Sequence, residues 1–380
     1  MQLFDVYPLY DIEPVRGQGT YVYDKDGREI LDFYGGHAVI SIGHSHPHYV
    51  RALQEQIAKI GFYSNSIQNP LQTELADKLG ALSGLDDYHL FLVSSGAEAN
   101  ENALKVASFH TGRSRILAFA GAFHGRTSAA VNVTDNESIK APINRNYPVT
   151  FLPLNDLEAV ERELAKGDVA AVIIEGVQGI HGIYVPEPAF LEALAGLCHA
   201  NGALLILDEV QSGYGRTGKF FGFQYSAVEP DLVTVAKGMG NGFPIGGVLI
   251  HPSLPAKHGM LGTTFGGSHL ACAAGIAVLD VLKSEDLITN AAEQGRYLMD
   301  TLAATGLFTE VRGHGLMIGL QMDVPIGPLR KKLLFEQNVF TGSAKDPNTI
   351  RLLPPLNVSR AECERLVEAF TAVLVPSTVG

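Results

Sequence analysis

An acid and a lysine at the ends of two apolar runs are the residues best placed to do chemistry. The run LLIL ends in Asp208, and the run LVTVA ends directly before Lys237. A lysine amine can hold pyridoxal phosphate as a Schiff base, and a carboxylate can pair with the protonated nitrogen of its pyridine ring. That ring accepts electrons well only while its nitrogen stays protonated. The two residues together therefore predict a pyridoxal phosphate site.

The position of both residues at strand ends supports this prediction. Ligands bind at the carboxyl ends of the strands in open α/β sheets. An acid at the end of so apolar a strand must have a partner or a function. Taken singly, Asp208 could cap a turn and Lys237 could be a solvated side chain. The combination favours a cofactor site.

A serine pair followed by a helical pattern provides a candidate phosphate site. Ser95, Gly96 and Ala97 lie where the run HLFLV gives way to a helix. The free N–H groups and the positive dipole end of a helix bind anions. The alternative is a serine N-cap with Glu98 three residues on, a capping box. Both can hold at once, because a capped helix end can still bind a phosphate.

The segment AFHGR follows another apolar run and carries an aromatic ring and a guanidinium. Phe123 could stack on a cofactor ring, and Arg126 could pair with a carboxylate. A core phenylalanine and a solvated arginine are the alternative, and they would be preferred if Lys237 were absent.

Two familiar patterns are rejected. The glycines at 213, 215 and 218 match a dinucleotide-binding fingerprint, but five residues separate the first from the strand, and KFFGFQY is a poor helix opening. The histidines in the run 44–48 could share one strand face and bind a metal, but Pro47 interrupts the strand. We predict no metal site, and a histidine-rich turn leading into a helix at 48–60.

The pattern of apolar runs predicts the elements that position these residues. Continuous apolar runs are typical of strands buried on both faces, and they alternate here with helical spacing, which indicates an α/β fold with a mostly parallel sheet. The runs are HLFLV, RILAFA, VAAVIIE, ALLILDE, LVTVA and GGVLI. The segments AEANENALKVASFH (97–110) and PAFLEALAGLCHANG (188–202) read as helices, and YVYDKDGREILDF as a hairpin turning at DG.

The length of the chain predicts two domains. Its 380 residues exceed what one hydrophobic core usually serves. We expect a large domain over 49–284 and a smaller α+β domain built from both ends of the chain, 1–48 and 285–380.

Composition restricts the classes of partner and the compartment. The net charge is −12 and the basic residues are scattered, so neither a nucleic-acid nor an anionic-membrane surface is expected. Cys198, Cys272 and Cys363 lie far apart, which fits neither a disulfide framework nor a metal site. The sequence shows no signal peptide and no apolar run of about 18 residues that could cross a bilayer. A cytoplasmic protein is predicted.

The motifs together resemble the class-III, fold-type-I aminotransferases, and among them the acetylornithine and succinylornithine group of arginine metabolism. The resemblance covers nearly the whole length. The matching segments are LDFYGGHAVISIGHSHP (31–47), SSGAEANENALK (94–105), AFHGR (122–126), LDEVQSGYGRTGKFF (207–221), AKGMGNGFPIG (236–246), TTFGGSH (263–269) and IRLLPPL (350–356).

The resemblance implies pyridoxal 5'-phosphate as the cofactor and assigns roles in binding it. Lys237 would carry the cofactor and shuttle a proton, and Asp208 would pair with the ring nitrogen. The remaining contacts would be Gln211 to the phenolic oxygen, Val210 and Phe123 on the two ring faces, Ser95, Gly96 and Ala97 at the phosphate, and Thr264 reaching that phosphate from the other subunit of a homodimer.

The resemblance also implies substrate contacts. Arg126 and Arg351 would clamp carboxylates, and Glu175 would lie beside the substrate. Gly36 occupies the position at which ornithine aminotransferases carry a tyrosine that reads a free α-amino group. The absence of that tyrosine favours an N-acylated substrate.

One departure from the family pattern concerns Ile180. The family commonly has EPxQGE, whose last glutamate masks the C-terminal arginine, whereas this chain has EGVQGI. Isoleucine cannot make that pair. We therefore expect Arg351 to stay exposed throughout, or to bind a carboxylate on the acyl group, as a succinyl substrate would provide.

The function implied is transfer of the δ-amine of an Nα-acylornithine, acetyl or succinyl, to 2-oxoglutarate by a cytoplasmic homodimer. Its partners would be small amino acids and 2-oxo acids. Within the fold the alternatives are another ω-aminotransferase, acting on ornithine or 4-aminobutyrate, or an aminomutase. From another class, the alternative is a catalytically silent protein that kept the fold.

Overall fold

The computed structural model describes residues 1–375. The strands within them are β1 Pro14–Gln18, β2 Tyr21–Asp24, β3 Glu29–Phe33, β4 His89–Val93, β5 Arg115–Phe119, β6 Val149–Leu152, β7 Val169–Glu175, β8 Leu204–Asp208, β9 Leu232–Val235, β10 Gly246–Ile250, β11 Glu310–His314, β12 Met317–Gln321, β13 Val339–Ser343 and β14 Thr349–Leu352.

The α-helices of the same residues include two single turns, α1 and α7. The bounds are α1 Gly35–Ala38, α2 Pro47–Lys59, α3 Pro70–Ser83, α4 Gly96–Thr111, α5 Ser128–Asn132, α6 Leu157–Leu164, α7 Gly179–Gly182, α8 Pro188–Ala200, α9 His269–Ser284, α10 Leu287–Ala304, α11 Gly327–Glu336 and α12 Arg360–Leu374. Short 3₁₀ turns cover Glu137–Ile139, Pro142–Asn144, Gly222–Tyr225 and Lys237–Met239.

The central sheet is mostly parallel, as predicted. Its strand order is β4-β10-β9-β8-β7-β5-β6. The pairs from β9 through β6 are parallel, and only β10 runs against its two neighbours. All seven residues of β7 and all five of β8 are buried, which is why these strands read as continuous apolar runs. The α/β fold class is confirmed.

Strand direction places three candidate segments at one edge of this sheet. Asp208 ends β8 opposite Thr234 of β9, so Lys237 emerges beside it. Strand β4 is antiparallel to β10, which is antiparallel to β9, so β4 ends at the same edge. Ser95 and the start of α4 therefore lie near Asp208 and Lys237.

A second sheet joins the two ends of the chain. Its order is β1-β2-β3-β13-β14-β12-β11, and β3 and β13 pair in parallel between Leu31–Phe33 and Val339–Thr341. The predicted hairpin is its β2–β3 pair, with Gly27 at φ +81° in the turn. The domain boundaries at 49 and 285 stay a prediction, and residues 376–380 of the smaller unit lie outside the described part.

The histidine run 44–48 forms a turn into α2. The ring of His46 accepts a hydrogen bond from the backbone N–H of His48 and caps the helix that Pro47 begins. The His44 ring lies 2.9 Å from Asp32 and the His46 ring 2.8 Å from Glu285. Within residues 1–375, no three or more His, Cys, Asp or Glu side chains are grouped so that they could hold a metal ion. Nor does any helix there have the length and hydrophobicity to cross a membrane.

The rejected glycine fingerprint is a loop packed against α10. A Cβ at Gly215 would lie 2.9 Å from Ile288, and one at Gly218 would lie 2.9 Å from Ala292. The glycines therefore allow close packing on a helix. Burial lowers the pKa of Arg216 in the same loop to about 9, and its guanidinium donates to backbone carbonyls of Ile40, Leu316 and Pro354.

Candidate active site

A cavity of about 290 Å³ lies at the sheet edge where β4, β8 and β9 end. Pockets for small cofactors are commonly of this size or somewhat larger. Nine residues predicted from the sequence line it: Ser95, Gly96, Ala97, Phe123, Glu175, Asp208, Val210, Gln211 and Lys237. The fold therefore brings together side chains that are far apart in the chain.

Three nitrogen donors surround the buried Asp208 carboxylate. Its Oδ2 accepts from Asn100 Nδ2 at 2.7 Å and lies 2.7 Å from His124 Nδ1. Its Oδ1 accepts from the backbone N–H of Val210 at 3.0 Å. These donors hold both carboxylate oxygens in place. Asp208 lines the cavity, so the carboxylate can meet a cationic ring nitrogen there.

Asn100, His124 and Thr234 are site residues that the sequence analysis missed. Asn100 is 1% exposed, His124 2% and Thr234 0%. The only sequence signal for them was a polar side chain in an apolar setting. Asn100 lies among the alanines of a predicted helix, and Thr234 lies inside the apolar run LVTVA. Buried polar groups require partners, and here they are one another's partners.

The Lys237 side chain reaches the same cavity from the turn after β9. Its φ is +47°, a left-handed conformation that is uncommon for a residue with a side chain. Burial lowers the pKa of its amine to about 8, although Asp208 and Glu175 act in the opposite direction. A larger share of the amine is therefore neutral near pH 8 than in a solvated lysine, and the neutral amine is the nucleophile.

The start of α4 forms a small-residue cradle for an anion. Ser95 caps the helix by accepting from Glu98 N–H at 3.2 Å, while Glu98 accepts from Ser94 N–H. The N–H groups of Gly96 and Ala97 belong to the first turn, where helices lack internal partners. A Cβ at Gly96 would lie 2.7 Å from Val210 Cγ1, so this position is restricted to glycine.

The donor set fits pyridoxal phosphate. The helix start suits its phosphate, Asp208 suits its ring nitrogen and the Lys237 amine suits its aldehyde carbon. Phe123 and Val210 line the cavity between these groups. The individual assignments of residues to the cofactor stay predictions.

Glu175 holds two backbone groups beside the cavity. Its Oε1 accepts from Phe123 N–H at 3.0 Å and its Oε2 from Gly179 N–H at 2.9 Å. Burial raises the pKa of this carboxyl to about 7, and nearby Asp208 adds to the rise. Glu175 thus holds the backbone at Phe123 and at the start of the 179–182 turn.

Arg351 is not exposed, which corrects one expectation drawn from Ile180. Its side chain is 2% exposed, and Nη1 donates to Gln211 Oε1 at 3.2 Å. Its Nε donates to the Ser343 carbonyl at 2.6 Å. Burial lowers the pKa of the guanidinium. Gln211 therefore makes the contact with the Arg351 guanidinium that the glutamate of the family pattern would make. Ile180, which replaces that glutamate, lines the cavity.

Four predicted site residues lie outside the cavity lining: Arg351, described above, and Arg126, Thr264 and Gly36. Arg126 and Thr264 are exposed in the single chain. Gly36 lines a neighbouring cavity of about 740 Å³, which shares Val39 with the first. A Cβ at Gly36 would meet nothing within 4 Å, although its φ is +56°. The predicted roles of Arg126 and Gly36 therefore require a bound substrate, and the predicted role of Thr264 requires a second subunit.

The fold and the site define a pyridoxal-phosphate-dependent aminotransferase. The model of the family described as aminotransferase class-III matches residues 6–374, so the chain belongs to that family.

Within the family, the chain is similar to acetylornithine aminotransferases. The acetylornithine aminotransferase of Bacillus subtilis (strain 168) is 40% identical over 376 residues, covering 96% of this chain and 95% of that protein. The acetylornithine aminotransferase of Archaeoglobus fulgidus is 40% identical over 369 residues, covering 96% of each. Among solved structures, the ornithine aminotransferase of Toxoplasma gondii, described with partial occupancy of PLP at its active site, has a TM-score of 0.88 at 28% identity and covers 96% of this chain and 91% of that one.

Proposed function

We propose that this aminotransferase moves the δ-amine of an Nα-acylornithine to 2-oxoglutarate, producing the acylated glutamate semialdehyde and glutamate. The observation that carries the proposal is the near-full-length identity of 40% to acetylornithine aminotransferases of a bacterium and an archaeon. The open space at Gly36 supports an acylated substrate, because a tyrosine that reads a free α-amine is absent there.

The residues at the cavity have complementary tasks in this proposal. When bound, pyridoxal phosphate supplies the electron sink and carries the amino group between the two substrates. Asp208 keeps a proton on the ring nitrogen through its negative charge. The Lys237 amine, neutral in part because burial lowers its pKa to about 8, accepts and returns the proton at the reacting carbon.

The Gln211–Arg351 contact provides the carboxylate site for 2-oxoglutarate. A neutral amide holds the guanidinium at 3.2 Å less strongly than a carboxylate would. An incoming carboxylate can therefore displace the amide and form a bidentate pair. The Nε2 group of Gln211, which donates to the His37 carbonyl at 3.1 Å, is the donor that would hold the phenolic oxygen of a bound cofactor. Arg126 reads the α-carboxylate of the acylornithine.

A homodimer with a shared site is part of the proposal. Thr264 is exposed, and Phe265 beside it is 64% exposed and packs on Phe62 with ring centroids 5.3 Å apart. Tyr63 and Ile67 extend this apolar surface, at 55% and 56% exposed. An exposed apolar patch of this kind is typical of an interface. We propose that a second copy covers it and that Thr264 thereby reaches the partner's phosphate.

A cytoplasmic location completes the proposal. The three cysteines are buried and free in the structure. Free thiols are compatible with a reducing compartment.

A substrate panel with a designed variant tests the proposed function. Single-turnover rates of the holoenzyme are measured with N-acetylornithine, N-succinylornithine, ornithine and 4-aminobutyrate. We expect the acylornithines to react at least about tenfold faster than the others, as 1.4 kcal/mol of discrimination would give. Gly36→Tyr should lower the acylornithine rates selectively, and Gly36→Ala controls for backbone strain at the same φ.

The other outcomes of the substrate panel would support a different activity or contradict the proposal. Faster reaction with ornithine or 4-aminobutyrate would establish the alternative ω-aminotransferase. No reaction with any of the four amines would contradict the proposal. The ratio of the N-succinylornithine rate to the N-acetylornithine rate, measured also in Ile180→Glu, decides the acyl preference. An unchanged ratio together with a strong preference for acetyl would exclude the succinyl hypothesis.

A further inference from the structure

A buried chain of hydrogen bonds runs from the middle of β9 to the Asp208 carboxylate. Thr234 Oγ1 donates to Asn100 Oδ1 at 2.7 Å, and Asn100 Nδ2 donates to Asp208 Oδ2 at 2.7 Å. The same Nδ2 group donates to the His124 carbonyl at 2.7 Å. The chain connects β9, α4 and β8, and neither Asn100 nor Thr234 was assigned a role from the sequence.

The direction of this chain follows from the chemistry of its members. An asparagine amide can turn by 180° and exchange its oxygen and nitrogen. If Asn100 turned, its oxygen would face the Asp208 anion and the His124 carbonyl, both acceptors. These two acceptors therefore hold the Nδ2 group toward Asp208, and the Thr234 hydroxyl donates to the Oδ1 atom that is left facing β9. Thr234 therefore satisfies the buried Oδ1 atom and anchors the amide whose other end meets Asp208.

We infer that Thr234 and Asn100 are positioning residues that hold the Asp208 carboxylate and aim it at the cofactor's ring nitrogen. The inference rests on the proposed role of Asp208 and adds two residues to it. With Asn100, His124 and the Val210 N–H as donors, three acceptor sites of the carboxylate are occupied. A carboxylate has about four such sites, so one remains for the cavity.

His124 makes the contribution of Asn100 more important. The His124 Nε2 atom is buried and has no hydrogen-bond partner within residues 1–375. Within those residues the ring is therefore held through Nδ1 at Asp208 alone, and Asn100 is the other side-chain donor to the same Oδ2 atom. Loss of the Asn100 donor should therefore leave Asp208 less firmly oriented and weaken its pairing with the protonated ring nitrogen.

The central variant is Thr234→Val, which keeps the shape and β-branching of the side chain and removes the hydroxyl. We expect the apoenzyme to bind pyridoxal phosphate about tenfold more weakly, because Asn100 Oδ1 is left buried without a donor and the amide is no longer anchored on β9. The ring nitrogen of ¹⁵N-labelled cofactor should move toward the resonance of the unprotonated pyridine. The kcat of both half-reactions should fall by the same factor with KM nearly constant, since both use one ring nitrogen. Thr234→Ser should restore all three values.

Two further variants separate this role from a structural one. Thr341→Val also replaces a buried threonine, whose Oγ1 has no hydrogen-bond partner within residues 1–375, and should leave affinity and ¹⁵N resonance unchanged. Asn100→Leu should reproduce the ¹⁵N shift, and adding Thr234→Val to it should shift the resonance no further, because Thr234 acts through Asn100.

Clear results would overturn the inference. If Thr234→Val keeps the wild-type ¹⁵N resonance and cofactor affinity, the hydroxyl has no positioning role. The same holds if these values change only in proportion to a lowered melting temperature. A wild-type ¹⁵N resonance in Asn100→Leu would remove Asn100 from the chain. If instead Asp208→Asn leaves the resonance unchanged, the role of Asp208 itself is wrong.

Discussion

Asp208 illustrates how a residue's chemistry is set by groups that sequence reasoning does not see. Its place at the end of a buried strand was predictable, because an acid there demands a partner. Its actual partners come from α4 and from the segment after β5, and nothing in their spacing links them to Asp208. Polar groups buried singly in apolar segments, such as Thr234, were the only signal. They become informative once the strand order is known.

Replacing Asp208 by asparagine should leave the fold intact and reduce kcat by at least about 10²-fold. A neutral amide no longer stabilises the ring-nitrogen charge, and removing a charge-stabilising group commonly has this cost. Pre-steady-state absorbance during the amine half-reaction measures the effect. The wild-type kcat in Asp208→Asn would make the acid merely structural.

The pH dependence of cofactor capture should report the Lys237 amine. Since burial lowers the pKa of this amine to about 8, its neutral fraction, and with it the capture rate, should rise about tenfold per pH unit below pH 8 and level off above it. Stopped-flow absorbance of the apoenzyme mixed with pyridoxal phosphate measures this. Free Nα-acetyl-lysine is the control and should rise up to about pH 10. Because Asp208 raises the pKa of Lys237, Asp208→Asn should move the midpoint lower. A midpoint near that of free lysine would contradict the burial argument.

At the scale of elements, apolar runs predicted every strand of the central sheet except the edge strand β6, and they did not predict the edge strand β1 of the second sheet. Strands β7 and β8 are buried throughout, so their composition alone indicates them. Strand β1, with the sequence PVRGQ, is exposed on nearly every residue and pairs on one side only. Such a strand forms because β2 provides hydrogen-bond partners for its backbone. The residues of β1 themselves do not indicate this pairing. The hairpin turn at Gly27 was predictable, because only its own residues decide it.

Glu209 is an element-scale connection that the sequence analysis did not assign. Its carboxylate accepts from the N–H groups of Gly222 and Phe223 and from Ser212 Oγ, at 2.8–2.9 Å, and so ties the end of β8 to the turn that follows. Glu209→Ala should cost about 2–5 kcal/mol of unfolding free energy, because two backbone donors are left buried and unpaired. Urea denaturation of the apoenzyme measures this. Glu285→Ala, at an exposed ion pair, is the control and should cost less than about 1 kcal/mol.

The pH dependence of the Glu209 contribution has a definite sign. Burial raises the pKa of this carboxyl from 4.5 in the unfolded chain to about 7. Between these values the folded protein holds a proton that the unfolded chain releases, so the contribution is complete below pH 4.5 and declines as the pH rises to 7. The stability gap between wild type and Glu209→Ala should therefore be narrower at pH 8 than at pH 5. A wider gap at pH 8 would show that the carboxyl is ionised at little cost.

At the scale of the whole molecule, the site of a single chain lacks groups that the family pattern predicts. Thr264 and Arg126 are exposed, and neither reaches the cavity of its own chain. Local patterns could not predict the proposed shared site, because such a site depends on the symmetry of an assembly. The apolar surface around Phe265 is the observation that supports the proposal of a second copy there.

Phe265→Glu should dissociate the proposed dimer and release the cofactor with it. A charge placed in a buried apolar interface is costly, and loss of the partner removes Thr264 from the phosphate. Sedimentation velocity followed at the absorbance of the bound cofactor measures mass and loading together. Val324→Glu, at a side chain 55% exposed in the other unit, is the control and should keep both. A monomer that stays loaded and active would contradict the shared site.

Transfer of the amino group itself is the most direct test of the proposed function. The holoenzyme is incubated with N-acetylornithine labelled with ¹⁵N at the δ-amine and with unlabelled 2-oxoglutarate, and NMR follows the label. We predict that the label appears in glutamate, in equal amount to the N-acetylglutamate semialdehyde formed, and that Lys237→Ala forms neither in repeated turnovers. Label that stays in N-acetylornithine, or that is released as ammonia, would contradict the account.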